Sequence, residues 1–190
     1  MGTPWGVAVS VVIATRDRCE ELLRTIERLE RLPERPHVIV VDNGSVDGGP
    51  EVVEARHPRV EVIRLARDHG TAVARNVGVW AAATPYVAFC DVGSGWGPGV
   101  LRGAAEMFDA EPRLALIAAR VPVGGEPDPI NGLLGAGAAG FLASGAVVRR
   151  RDFLEAGRLG DVSFFAGVEQ LVAAGVGDAV SAGGGCGARA

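Results

Sequence analysis

Four short polar segments follow apolar runs of this sequence, and they carry the residues that could do chemistry. Three of the four have an aspartate at the edge of the run. Because the carboxyl ends of parallel strands meet at one edge of a sheet, side chains at these positions can converge on a polar ligand. One aspartate after a strand is more often a helix cap or a turn residue, but three at one edge indicate a binding site. The segments are Thr15-Arg16-Asp17, Asp42-Asn43-Gly44-Ser45, Arg67-Asp68-His69-Gly70 and Asp91-Val92-Gly93.

The residue types restrict how such a site could handle phosphate. All 19 basic residues of the chain are arginines, so Schiff-base chemistry and a phosphate-binding-loop lysine are excluded. The turn after the first apolar run has no glycine, and it therefore lacks the Gly-x-Gly-x-x-Gly dinucleotide fingerprint. A nucleotide could still be held by carboxylates together with a divalent cation.

The elements that must position these segments alternate between strand and helix. Segments rich in apolar residues over 7–13, 37–41, 60–65, 86–90 and 114–119 predict strands. The first reads as buried on both faces, and the second as a further buried strand. Apolar residues at helical spacing predict helices over 20–32, 50–56, 70–83 and 100–108. This alternation predicts an α/β fold of three layers, α/β/α, around a mostly parallel sheet.

The character of the chain changes after residue 120. Residues 121–140 are rich in Gly and Pro and predict a loop, the apolar segment 141–148 predicts one more strand, and 151–156 a helical turn. Residues 175–190 form a glycine-rich tail that we predict to be disordered. The sequence therefore divides at 1–120, 121–174 and 175–190.

The composition excludes several classes of protein. The chain has 190 residues and a formal net charge of −4, which suits one domain without a basic stripe for nucleic acid. No apolar run approaches the ~20 residues of a membrane span, and the N-terminus lacks a secretory leader pattern. The three cysteines show no metal-type spacing. These features predict a cytoplasmic protein with no integral membrane segment and no nucleic-acid partner.

Four segments, in order, resemble the inverting family 2 glycosyltransferases, which are nucleotide-sugar enzymes of the GT-A fold. They are V-S-V-V-I-A-T-R-D-R (9–18), V-I-V-V-D-N-G-S-V-D-G (38–48), R-D-H-G-T-A-V-A-R-N-V-G (67–78) and P-Y-V-A-F-C-D-V-G-S-G-W-G-P-G (85–99). The resemblance covers residues 7–120 well and 140–150 more loosely. It implies that residues 1–120 are the nucleotide-sugar-binding half of a GT-A domain, and that 121–174 are a reduced acceptor and catalytic part of it.

The resemblance also implies roles for individual residues. Thr15 and Asp17 stand where the family contacts the nucleobase. Arg16 replaces a frequent tyrosine and could stack on the base as a planar cation. Asp42 matches the acid that binds the base edge. The other nucleotide-binding positions match the family's helix start and metal motif, and they are Gly70, Arg75, Asn76 and Asp91.

The metal motif departs from the family pattern. Asp91 matches its first acid and implies a site for Mg²⁺ or Mn²⁺, but Val92 and Gly93 stand where the family supplies further acids. A hard cation prefers several oxygen ligands, so Asp91 alone is a thin contribution from the protein.

An inverting transfer also needs a general base that deprotonates the acceptor hydroxyl. The segment G-V-E-Q-L (167–171) stands roughly where the family carries this base. Glu169 is therefore the candidate base, with Asp161 as a weaker one.

Two functions follow from this resemblance. The first is a glycosyltransferase that moves a sugar from a UDP-, GDP- or dTDP-linked donor to an unidentified acceptor with inversion. The alternative is a catalytically degenerate GT-A-fold protein that acts as a binding or assembly partner. The sequence also leaves open whether the apolar segment 141–148 belongs to the core or to the contact face of a homodimer.

Overall fold

The computed structural model describes residues 6–118 and 145–156 of the chain. Within these residues there are six strands and five helices, which alternate as far as the fifth strand. The strands are Val9–Thr15 (β1), His37–Asp42 (β2), Glu61–Arg64 (β3), Tyr86–Phe89 (β4), Leu116–Ala118 (β5) and Ala146–Arg149 (β6). The helices are Cys19–Glu30 (α1), Gly49–Arg56 (α2), Thr71–Ala81 (α3), Val100–Ala110 (α4) and Arg150–Ala156 (α5).

The strands form one sheet in the order β3-β2-β1-β4-β6-β5. The pairs β1–β2, β1–β4 and β2–β3 are parallel. β6 is antiparallel to both of its neighbours, β4 and β5, so β5 runs in the same direction as the first four strands. The predicted mostly parallel sheet is confirmed, with β6 inserted against the common direction.

The sheet is covered by helices on both faces, as the predicted three-layer arrangement requires. Side chains on alternate residues of β1 point to opposite faces. Val9, Val11 and Ile13 belong to a core that includes side chains of α1, α2 and α4. Val12 belongs to a second core with residues of α3 and α5. A strand that is buried on both faces reads as a continuous apolar run, which is why β1 shows no alternation.

Helix α3 lies unusually close to β1, and Gly78 permits this approach. A Cβ atom on Gly78 would stand 2.3 Å from Cγ1 of Val12, so any larger residue would push the helix away from the sheet. The close packing carries the N-terminal end of α3 toward the carboxyl ends of β1 and β4, where the polar segments lie.

Two strand ends differ from the prediction in a way that matters for the site. The apolar run predicts that the first strand ends at Ile13, but β1 continues to Thr15. The next run predicts that the second strand ends at Val41, but β2 includes Asp42. In the parallel register Thr15 lies beside Asp42, because ladder hydrogen bonds extend past the last apolar residue.

Residues 145–156 close the sheet against the helices. The guanidinium of Arg149 donates to the carbonyl oxygens of Phe108 at 2.7 Å and of Leu114 at 3.0 Å. That of Arg150 donates to the carbonyls of Val79 and Trp80, both at 2.9 Å. These bonds satisfy carbonyls near the ends of α4 and α3, which have no partner within the helix.

The residues of β6 belong to the core of this chain. Ala146, Val147 and Val148 are at most 2% exposed, so this part of segment 141–148 is not available as a dimer face. Residues 141–144, the glycine-rich tail and most of segment 121–174 lie outside the described residues. Among the helices that are described, none is both long and apolar enough to cross a membrane.

Candidate functional site

A cleft of about 430 Å³ opens at the carboxyl ends of β1, β2 and β4. It brings together four of the predicted site residues, Thr15, Arg16, Arg75 and Asp91. The other lining residues are Ala14, Arg18, Asn43, Thr71 and Val92. The strand ends therefore converge on one edge of the sheet, as predicted. Among the described lining residues there are three arginines and one carboxylate.

The turns after β1 and β2 are fastened to each other. The backbone N–H of Asp17 donates to Oγ of Ser45 at 2.9 Å, and Oδ1 of Asp17 accepts the N–H of Val46 at 2.7 Å. Asp42 is 3% exposed and accepts the N–H of Ser45 at 3.2 Å. Asp17 and Asp42 thus shape the wall behind the cleft and do not line it in this structure.

Asn43 joins the turn after β2 to the loop before α3. Its Nδ2 donates to Oδ1 of Asp68 at 2.6 Å, and its Oδ1 accepts the N–H of His69 at 2.9 Å. Asp68 Oδ1 also accepts the N–H of Gly70 at 2.8 Å. The Gly70 N–H, and then the Arg16 guanidinium, hold the pKa of the Asp68 carboxyl below its usual value. A paired amide and carboxylate of this kind keep a loop in one conformation.

Arg16 occupies the position at which the resemblance predicts stacking on a base. In the structure its guanidinium forms an ion pair with Asp68 and lies 3.5 Å from the carboxylate of Asp17. Its side chain is 48% exposed, so it stands at the mouth of the cleft.

Arg75 and Asp91 form the ion pair at the base of the cleft. Nη2 of Arg75 lies 2.5 Å from Oδ1 of Asp91. The Arg75 side chain is 11% exposed and its guanidinium lies 5.8 Å from the ring centre of Phe89. Asp91 lines the cleft, and its side chain is 48% exposed. Helix α3 thus presents an arginine to the end of β4, where the resemblance places the metal motif.

The two positions that lack family acids are built into the packing against α1. Val92 is 8% exposed and belongs to the core. Gly93 has a φ of +94° and donates its N–H to Oγ1 of Thr25 at 2.9 Å. Arg28 donates to the Gly93 carbonyl at 3.2 Å. Thr25 and Arg28 could not be identified from the sequence, because on a helix they look like ordinary residues of an amphipathic face.

Two buried polar atoms near the site have no partner in the described structure. They are Oγ1 of Thr15, in a residue that is 7% exposed, and Oδ1 of Asn76 on α3. Buried oxygens in folded proteins are nearly always hydrogen-bonded. Because Thr15 lines the cleft, its hydroxyl group is a candidate for contact with a ligand.

The residues of the cleft are a poor set of ligands for a divalent cation. Within residues 6–118 and 145–156, no three His, Cys, Asp or Glu side chains come together as a metal site. One oxygen of Asp91 is already bonded to Arg75. Even where phosphates and water supply most of the ligands, Mg²⁺ or Mn²⁺ needs one or two protein carboxylates. Asp91 is the one carboxylate among the described lining residues and is engaged by Arg75, so this donor set fits the cation poorly.

The thiols near the site are not activated. Burial raises the pKa of Cys90, and it also raises that of Cys19, where Asp47 adds to the effect. A raised pKa keeps a thiol protonated and unreactive. The candidate base Glu169 and the weaker candidate Asp161 lie outside the described residues, so their roles stay predictions.

Comparison with known proteins identifies relatives for most of the chain. The family model described as glycosyl transferase family 2 matches residues 10–168. The succinoglycan biosynthesis protein ExoO of Rhizobium meliloti is 36% identical over 104 residues, which cover 54% of this chain and 30% of that protein. The pre-mycofactocin glycosyltransferase of Mycobacterium tuberculosis is 35% identical over 116 residues, 60% of this chain and 23% of that protein. The chain thus spans less than a third of the length of these two curated relatives.

Solved structures show the same fold at lower identity. A mannosyltransferase from Pyrobaculum calidifontis, in complex with GDP-Man and Mn²⁺, has a TM-score of 0.69 and 23% identity, and the match covers 90% of this chain and 55% of that one. Residues 1–349 of S. aureus TarS, in complex with UDP-GlcNAc, have a TM-score of 0.60 and 22% identity, and the match covers 77% and 46%.

Proposed function

Because this chain belongs to glycosyl transferase family 2 and has the GT-A fold, we propose that it is a glycosyltransferase that binds its donor in the cleft at the strand ends. The donor is a UDP-, GDP- or dTDP-linked sugar. The observation that carries the proposal is the buried, unpartnered Oγ1 of Thr15 in a cleft lined by three arginines. A hydroxyl oxygen without a partner beside guanidinium groups, which can donate to phosphate oxygens, suits a nucleotide with its phosphates.

The two ends of the cleft suit different parts of a nucleotide. Thr15 and the fastened turns at Asp17 and Asp42 form the end that we assign to the nucleobase. The end that we assign to the ribose and phosphates is flanked by Arg75 and Asp91. We also assign to it Gly70, just before α3, and Asn76 on α3. Rigid turns supply the base-binding side with a fixed shape, since each of the two carboxylates there is hydrogen-bonded to backbone.

The proposed reaction is a single displacement with inversion. The acceptor oxygen attacks the anomeric carbon from the face opposite the diphosphate. The new C–O bond forms as the bond to the phosphate oxygen breaks, and the diphosphate leaves with that electron pair. Glu169 is the proposed base that takes the proton of the acceptor hydroxyl. The family match ends at residue 168, one residue before Glu169.

The expected Mg²⁺ or Mn²⁺ would stabilise the leaving diphosphate by its positive charge. The mannosyltransferase from Pyrobaculum calidifontis is described with Mn²⁺, which supports a divalent cation as a property within the family. The donor set around Asp91 in this chain does not fit that cation, and no step of the proposed reaction is assigned to it.

Calorimetric titration with UDP, GDP and dTDP tests the proposal. We expect one of the three to bind, and Thr15→Val to weaken that binding about ten-fold, because the hydroxyl that meets the ligand is lost. Val has nearly the shape of Thr, and Oγ1 has no partner among the described residues, so thermal stability should be equal or higher. If none of the three nucleotides binds, the proposal is wrong.

The alternative function, a degenerate protein that binds without catalysing, is favoured by the packing of Val92 and the backbone of Gly93. Release of free UDP, GDP or dTDP from the matching sugar donors separates the two functions. Slow donor hydrolysis that is lost in Glu169→Gln supports the transferase, whereas tight binding without release supports the alternative. Introducing acids at Val92 and Gly93 is a poor test of whether the chain can catalyse. Val92→Asp would bury a charge in the core, and Gly93→Asp would place a side chain on a backbone with a φ of +94°.

The remaining expectations concern partners and location. The acceptor, a homodimer and a cytoplasmic location stay predictions, as does the expectation of no nucleic-acid partner. The disordered tail predicted for 175–190 falls on residues outside the described structure.

A further inference from the structure

Arg18, just before α1, lies where a side chain at position 93 of the metal motif would point. If Gly93 carried a Cβ atom, the nearest side-chain atom would be Nη2 of Arg18, 3.9 Å away. In the resembling family this position carries an acid, which would attract a cation. Here the guanidinium of Arg18 lies beside that position instead, and Gly93 has no side chain to neutralise it.

The three arginines of the cleft differ in how strongly they are engaged by carboxylates. Arg16 is paired with Asp68, and Arg75 lies 2.5 Å from Asp91. The ion pair of Arg18 is distant, 3.9 Å from Glu21, and its side chain is 50% exposed. Of the three guanidinium groups, that of Arg18 can therefore contact a ligand with the smallest loss of ion pairing.

We propose that this chain binds the diphosphate of its donor without a divalent cation, and that Arg18 supplies the positive charge at that place. The inference rests on the proposed function, since it assumes a nucleoside diphosphate in the cleft. A guanidinium offers several N–H donors in a planar fork that matches phosphate oxygens. The acids missing at Val92 and Gly93 then reflect a different way of neutralising the diphosphate, by a guanidinium in place of a metal ion. Asp91 serves to hold Arg75.

The experiment compares nucleotide binding with and without metal. The nucleotide that binds among UDP, GDP and dTDP is titrated calorimetrically in EDTA and again in Mn²⁺, and the corresponding monophosphate serves as a second probe. We expect the dissociation constants for the diphosphate in the two buffers to agree within about two-fold. Arg18→Gln should weaken diphosphate binding on the order of ten-fold in EDTA, and should weaken monophosphate binding less.

Arg24→Gln is the matched control. Arg24 lies on α1 and is exposed, and its guanidinium lies 2.9 Å from the carboxylate of Glu20. It is not among the residues that line the cleft. Its loss should leave both affinities unchanged, and a thermal melt of both variants shows that neither change acts through folding. Arg18→Lys keeps the charge without the fork, and it should recover part of the affinity.

The outcomes separate this inference from the proposed function. Binding that requires Mn²⁺ would overturn the inference and leave the proposed function intact. Binding in EDTA that is equal for Arg18→Gln and the parent chain would overturn the role of Arg18. Absence of binding in both buffers would overturn the proposed function, and this inference with it.

Discussion

The two buried hydroxyl groups of β1, one near each end of the central sheet, differ in their hydrogen bonds. Near the amino ends of the strands, Ser10, His37 and Thr84 are bonded to one another. The Thr84 hydroxyl lies 2.8 Å from Oγ of Ser10, which lies 3.3 Å from Nδ1 of His37. At the carboxyl ends, Oγ1 of Thr15 has no partner among the described residues. Ser10 and Thr15 belong to the same strand, β1, so the difference comes from the residues that surround each hydroxyl group.

Cavity size does not separate the two ends. A groove of about 830 Å³, larger than the candidate site, lies at the amino ends of the strands. Its lining residues are Gly6, Leu29, Glu30, Arg35, Pro36, Val38, Arg59 and Val60. Glu34 in the neighbouring loop also has one unpartnered oxygen, Oε2, while its Oε1 accepts the N–H of Gly99 at 2.5 Å. In the described part of the chain, the carboxyl end combines an unpartnered oxygen with three arginines in one cleft, and this combination marks the site.

The amino-end cluster should carry the larger share of stability. Ser10→Ala removes two buried hydrogen bonds, one to Thr84 and one to His37, at a cost of about 2 kcal/mol in the free energy of unfolding. Urea denaturation measures the loss, and nucleotide affinity should be unchanged. A loss of affinity in this variant would contradict the separation between the two ends.

Asn43 tests whether the carboxyl end also contains groups that serve the fold. Asn43→Ala removes two hydrogen bonds that hold the loop before α3. We expect a loss of about 1 kcal/mol in stability together with a several-fold weaker nucleotide affinity, because the loop that carries Asp68 and Gly70 loosens. Calorimetric titration and urea denaturation of the same sample measure both effects. An effect on stability alone would show that this loop does not shape the cleft.

The pH dependence of stability should report on the amino end. Burial lowers the pKa of His37, although Glu61, with Oε2 3.3 Å from Nε2, acts in the opposite direction. The unfolded chain therefore binds a proton on His37 more readily than the folded chain. The stability from this residue is complete above about pH 6.5, and it falls as the pH drops through 6.5 toward the lowered pKa of the folded state.

His37→Gln should flatten that part of the profile. Melting temperatures of the parent chain and the variant, measured from neutral pH down through the range in which the imidazole titrates, give the difference. Equal slopes in the two proteins would mean that His37 does not titrate differently on folding.

Arg64 provides the baseline, since it belongs to neither end cluster. It pairs with Glu51 and Glu54 on α2, and all three side chains are at least 41% exposed. Exposed ion pairs contribute little because solvent and salt screen them. Arg64→Gln should leave thermal stability and nucleotide affinity unchanged within error. A clear loss would show that the edge strand β3 depends on charge more than the two ends do.

The sequence predicts those parts of the structure that depend on local pattern. The apolar runs locate five strands to within a few residues, and the prediction that the strand ends converge brings Thr15, Arg16, Arg75 and Asp91 into one cleft. The position of β6 between β4 and β5 could not be predicted, because its partners are set by long-range pairing and not by its own composition.

The fine structure of the site depends on contacts across the fold. Thr25 bonds a backbone group 68 residues away in sequence, and Asn43 bonds Asp68 across 25 residues. Neither partner is visible in a local motif. The pairing of Arg75 with Asp91 is likewise hidden in the sequence, since the resemblance assigns each residue to the nucleotide and not to the other.

The antiparallel pairing of β5 with β6 bears on how this scaffold can vary. Ala118 and Ala146 lie opposite each other in register, so the two residues that flank segment 119–145 are neighbours. Both lie toward the carboxyl edge of the sheet, the edge that also holds the cleft. The entropy of closing a loop grows only slowly with its length, and the sheet therefore tolerates lengthening or exchange of residues 119–145 at little expense. Chimeras that exchange only this segment between relatives would show whether acceptor use changes with it while the strands that border the cleft stay the same.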